Sequence, residues 1–164
     1  MGLGDAYIQN GMKAVQAIAS EPVLFVTFGS RVGSMQSVLS GALSGDGAGP
    51  GPRDKVHRPG GKDTKLPMNF LVAVTQSAVL VYQHKMFWGR IKLKSQLAAF
   101  PRAGLHVQWG DGTIRQFLLS HPSPPQYMSF EMTGLGKTAQ AMIDQLTYLL
   151  ATPPQGPPQP GLVL

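Results

Sequence analysis

The stretch MTGLGKTAQAMIDQL, residues 132–146, decides how the rest of the chain is read. Gly136-Lys137-Thr138 is how a phosphate-binding P-loop ends, and a P-loop would make the fold a parallel α/β sheet. The strict pattern wants glycine five residues before Gly136, where Glu131 stands. It also wants a later strand that supplies an acid for Mg²⁺. Only 26 residues follow Thr138, and they read as one helix and a proline-rich tail. The same letters carry a second pattern. Leu135, Ala139, Met142/Ile143, Leu146 and Leu149/Leu150 recur at the spacing of a helix packed on a core, with Thr133 placed to cap it. A helix over 134–150 closing a β domain is the expectation, and nucleotide chemistry through Gly134–Thr138 is the disfavoured third reading.

Outward from that helix, the composition bounds the answer. The 164 residues are enough for one domain with a real core. Charged residues are only 13%, and cysteine is absent, so disulfides and thiolate metal sites are excluded. No signal-peptide pattern opens the chain, and no apolar run is long enough to span a bilayer. A cytoplasmic protein able to sit peripherally on a membrane is expected. The net charge of +6 is concentrated. Residues 53–94 hold nine Lys or Arg against Asp54 and Asp63, a local +7 that leaves −1 for the remainder.

Upstream, residues 5–20 are predicted as a helix from Ile8, Met12, Val15 and Ile18, ended by Glu21-Pro22. Strands follow at 23–28, 69–75, 78–84, 89–94, 97–100, 104–109 and 113–120. A weak second helix is predicted over 32–43. The stretch 126–132 could pass as a further strand but is crowded by Pro124-Pro125. Asp111-Gly112 between alternating segments is a strong hairpin signal. Within GRIKLK, Ile91 and Leu93 point one way and Arg90, Lys92 and Lys94 the other. Residues 44–66, with little to bury, are predicted as one long flexible loop, and 151–164 as a disordered Pro-rich tail. His57 lacks a partner at metal-ligand spacing, and His106 and His121 read as solvated histidines on a polar face. No paired carboxylates, catalytic triad or cofactor motif is expected.

Seven meandering strands closed by one amphipathic helix resemble the bacterial pleckstrin-homology-like (PH-like) domains. The residues carrying the likeness are Val72-Ala73-Val74-Thr75 with Val79-Leu80-Val81-Tyr82 in one hairpin, and Asp111-Gly112-Thr113 in another. The resemblance spans 69–150 and implies an α+β, mainly β fold. In it, a seven-stranded antiparallel barrel or sandwich is capped by the C-terminal helix, with the N-terminal helix as an addition. It implies a binding module, not an enzyme, with no cofactor, metal or small-molecule substrate. The expected contact region is basic: Arg53, Lys55, Arg58, Lys62, Lys65, Lys85, Arg90, Lys92 and Lys94. Beside it, Met86, Phe87 and Trp88 form an apolar tip, which either meets a membrane or partner or folds back onto the barrel. A protein or an anionic lipid surface is the expected partner. Nucleic acid is the alternative, disfavoured because the basic strand lacks interleaved aromatics.

Overall fold

The computed structural model describes residues 3–32, 54–110, 114–133 and 137–151. In chain order the elements are α1 (Leu3–Gln16), β1 (Val23–Ser30), β2 (Lys55–Val56), β3 (Thr64–Lys65), β4 (Asn69–Thr75) and β5 (Ala78–Phe87). They continue with β6 (Arg90–Pro101), β7 (His106–Trp109), β8 (Ile114–Pro122), β9 (Pro125–Thr133) and α2 (Lys137–Ala151). Seven strands form one antiparallel sheet in the order β6-β5-β4-β1-β9-β8-β7, and β2 and β3 pair separately. The protein is therefore α+β and mainly β.

Strand β4 explains the layering. Residues 70–75 are all buried, so both faces of the strand are covered. Phe70, Val72 and Val74 enter the larger core with Val79, Val81, Phe100, Phe117, Leu119, Met128 and Phe130. Leu71 and Ala73, of opposite parity, enter a second cluster with Val15, Val26, Tyr82 and Ile91. Helix α1 covers this second face, and α2 covers the first with Ile143 and Leu146. Contact between α1 and the sheet is close at Gly11. A Cβ there would lie 3.1 Å from both Leu71 Cδ1 and Val26 Cγ1, so the missing side chain lets the helix settle on the strands.

The sheet curls until its edge strand β6 reaches the other half. Gln126 Nε2 on β9 donates to the Ala99 carbonyl on β6 at 2.6 Å, although three strands separate them in the sheet order. That bond also satisfies an edge carbonyl.

Several sequence expectations need correction. The expected strands 89–94 and 97–100 are one strand, β6. Tyr82 faces Gln96 and His84 faces Leu93, so Lys94 and Ser95 oppose the single residue Gln83. This bulge accommodates the polar Ser95-Gln96 break that made the segment look like two. The stretch 126–132 is a full strand, β9; proline is tolerated because Pro125 stands at its first residue. Thr133 ends that strand opposite Ile114 instead of capping α2, which starts at Lys137. Helix α1 closes at Gln16, although i→i−4 bonding persists to Ala19. Gln16 then accepts a bond from the Val23 amide at 2.8 Å, fixing the entry to β1.

The segment expected as loop over 44–66 carries, within its described part 54–66, a short β2–β3 ladder of Lys55–Val56 against Thr64–Lys65. Val56 and Leu66 are fully buried anchors. The expected helix over 32–43 lies, from residue 33 on, outside the described residues, as do 44–53, 134–136 and the tail from 152.

Candidate functional site

The basic residues divide into those the fold uses and those it leaves to solvent. In the 54–66 segment, Lys55 pairs with Asp63 at 3.4 Å, and His57 Nδ1 lies 3.0 Å from the same carboxylate. The Arg58 amide donates to Asp63 Oδ1 at 3.0 Å. The Arg58 guanidinium is a brace. Its Nη1 donates to Thr64 Oγ1 and the Lys62 carbonyl, and its Nη2 reaches the Leu97 carbonyl of β6 at 2.9 Å. Backbone bonds between His57 and Tyr127, with their rings 4.8 Å apart, fasten β2 to β9. Lys62 and Lys65 remain exposed. Arg53 lies outside the described residues.

The hairpin of β5 and β6 is different. Beyond the bulge its pairs are His84–Leu93, Lys85–Lys92, Met86–Ile91 and Phe87–Arg90. Alternation puts Ile91 and Leu93 toward α1 and puts Lys85, Lys92, Arg90 and Lys94 on the other face, as expected from GRIKLK. All four cations are exposed, and among the described residues none makes an ion pair. Lys85 directly opposite Lys92 is a like-charge pair, which weakens a hairpin. Arg58 binds β6 three residues from Lys94, so the two basic segments meet there.

At the turn, Trp88 and Gly89 both have positive φ, 52° and 74°. Two such residues are the signature of a two-residue type I′ hairpin turn, whose first position favours Asn, Asp or Gly. Tryptophan there is a steric outlier. Its ring is not folded back. Trp88 is 88% exposed, Phe87 63% and Met86 44%, with the Phe87 and Trp88 rings edge-on at 6.1 Å. The turn itself is held: Asn10 Nδ2 of α1 donates to the Gly89 carbonyl at 2.8 Å. No local pattern announces that contact, because it joins residues far apart in sequence.

The histidines and acids complete the electrostatics. His121 is buried, which corrects the solvated reading. Its Nδ1 accepts the Ser123 amide at 3.0 Å and its Nε2 faces the Ala103 carbonyl at 2.8 Å. That pair of partners fits the Nε2–H tautomer. His106 is exposed. Among the described residues no three His, Asp or Glu gather as a metal site, and no helix is long and apolar enough to cross a membrane.

Glu21 lies far from the tip, where it accepts bonds from the Thr75 hydroxyl and from the Ser77 hydroxyl (2.6 Å) and amide (3.0 Å). Those bonds, Ser77's first, hold its carboxyl below the ordinary value of 4.5. The Arg58 amide, then His57, hold Asp63 below 3.8. Burial lowers His84 from 6.5. In all three the folded state binds fewer protons than the unfolded chain, so their stabilisation is complete above the ordinary values and is lost as pH falls through the folded ones. The melting temperature should therefore be flat from neutrality up to pH 10.0, above which it should fall because burial raises the Tyr82 phenol from that ordinary value. It should slip as pH drops below 6.5 and fall further below 4.5. Glu21→Gln should flatten the acidic limb of a melting-temperature profile; an unchanged limb would refute the assignment.

Comparison with protein families, curated proteins and solved structures finds no match to this chain.

Proposed function

We propose that this protein is a non-catalytic interaction module of the PH-like kind, docking an acidic protein face or anionic membrane on its β5–β6 hairpin. The observation that carries this reading is the hairpin's outer half: four exposed cations on one face, behind an exposed aromatic turn. A charged face meant only for solubility would mix signs and avoid large apolar tips.

The PH-like part of the reading draws support from the strand order. β1, β4, β5 and β6 form one meander, β7, β8 and β9 another, and the helix after the last strand packs into the core. Against the nucleotide-binding reading stands β9, which leads toward Gly134–Thr138 but runs antiparallel to both its neighbours. Glu131, where a P-loop needs glycine, is fully buried. Nucleic acid remains the alternative user of the same cations.

The test places a photoreactive benzoylphenylalanine at Phe87 in the full-length protein, and at Tyr148 on the exposed side of α2 as the control. Adducts to protein or lipid should form from position 87, fail from position 148 and fade when Lys85 and Lys92 become Glu. Adducts indifferent to the lysines would remove the reading. Nucleotide binding by the parent that Lys137→Ala abolishes would replace it with the enzyme reading.

A further inference from the structure

Resting on that binding-module reading, we infer that the β5–β6 hairpin is an insertion tip for anionic bilayers, with Trp88 entering the headgroup region and Lys85, Arg90, Lys92 and Lys94 meeting lipid phosphates. Three observations lead there.

The first is the order of chemistry along the hairpin. Trp88 stands at the extreme end, Phe87 and Arg90 are the first pair behind it, and Lys85 and Lys92 share their face two residues further back. At about 3.3 Å per residue, the lysine pair trails Phe87 by about 7 Å and Lys94 by roughly twice that. An apolar segment settling about 5–10 Å into the headgroup boundary would thus bring Lys85 and Lys92 to the phosphates. Lys94 would sit just outside, with long lysine stems adjusting the fit.

The second is the shape of the charge. Residues 85–94 contain four cations and no acid, and Lys85 faces Lys92 without a described counter-ion. A protein groove recognises fixed pairs; a like-charged cluster on a convex point suits a diffuse sheet of negative charge. Tryptophan is the side chain favoured at such an interface.

The third is conformational. Trp88 occupies the left-handed region at φ 52° while making little contact with the fold. Asparagine would hold the same turn with less strain. A large aromatic that strains its own turn and packs against little is placed for something outside the molecule.

The chain has two tryptophans, Trp88 and Trp109, so a Trp109→Phe protein leaves Trp88 as the sole indole reporter. Its emission should shift to the blue with vesicles of phosphatidylcholine plus phosphatidylserine and stay put with phosphatidylcholine alone. Lys85→Glu/Lys92→Glu should weaken vesicle binding by roughly 25-fold or more, from about fivefold per lost cation. In the parent background, Trp88→Asn should weaken sedimentation with the same vesicles roughly tenfold and raise the melting temperature. That rise guards against a misfolded variant; a fall would show Trp88 to be a packing residue and overturn the third argument.

No shift with phosphatidylserine vesicles, an equal shift with phosphatidylcholine alone, or a shift confined to duplex DNA overturns the inference. The photo-adducts separate its failure from that of the parent reading. Silent vesicles with lysine-dependent protein adducts at position 87 sink the membrane and keep the module. Loss of both sinks the two together.

Discussion

Phe130→Ala is expected to cost about 3–5 kcal/mol, a large share of typical total stabilities of about 5–15 kcal/mol. Phe130 is fully buried, stacked on Phe117 at 5.1 Å and edge-on to Phe70 at 6.3 Å. It thus joins β9, β8 and β4, strands on both sides of β1. Room for the rings comes from Gly29 of β1, where a Cβ would lie 3.0 Å from Phe70 Cε2 and 3.1 Å from Phe130 Cδ2. The truncation opens a cavity at this junction and forfeits two aromatic contacts, each worth about 0.5–1.5 kcal/mol beyond area. A urea titration should show a large fall in midpoint with little change in slope. Phe87→Ala, at the exposed tip, should move the midpoint hardly at all, by about 0.5 kcal/mol or less. If the two variants lose similar stability, the division between a core that folds the chain and a tip that does not is wrong.

Where the sequence was legible, a single local pattern sufficed. GRIKLK alternates, and its two sets of side chains do face opposite ways. β4 coincides with the expected strand 69–75, because its apolar β-branched run is bounded at both ends by polar residues. Beside Asp111-Gly112, β7 and β8 pair with Trp109 opposite Phe117, although residues 111–113 themselves lie outside the described part. Where reading failed, the cause lay elsewhere in the chain. The expected loop 44–66 holds few apolar residues, too few by number alone to predict a fold for it. Val56 and Leu66 suffice once β9 and β6 provide partners through His57 and Arg58. His121 reads as solvated because the Ala103 carbonyl is brought to it only by the fold, while the local Ser123 amide, two residues away, does not by itself bury the ring. The candidate tip was visible as composition, Met86-Phe87-Trp88 among cations. Whether the rings pointed outward depended on the turn's positive φ and on the Asn10 bond, neither of which a local reading contains.

Arg102 shows the same dependence in its strongest form, and Arg102→Met is expected to cost about 2–4 kcal/mol. The residue is only 8% exposed. Its Nη1 donates to the Thr75 and Gln76 carbonyls at 3.1 Å each, its Nη2 to the Leu149 carbonyl at 2.7 Å, and its amide to the Ser77 carbonyl at 2.8 Å. One side chain therefore ties the β4–β5 turn to the last turn of α2, where a cation also complements the helix dipole. Methionine keeps the stem and strands three carbonyls. Lysine should recover only part of the loss, since an ammonium cannot reproduce the planar fork that reaches both elements. The damage should stay at this end. Ten residues of β5, about 30 Å of strand, separate the turn from the tip, so folded Arg102→Met should still blue-shift on phosphatidylserine vesicles in the Trp109→Phe background. Hydrogen exchange should show earlier opening of α2 amides with β5 and β6 protected as before. A variant as stable as the parent would mean that the inner core alone, through Ile143 and Leu146, holds α2 against the sheet.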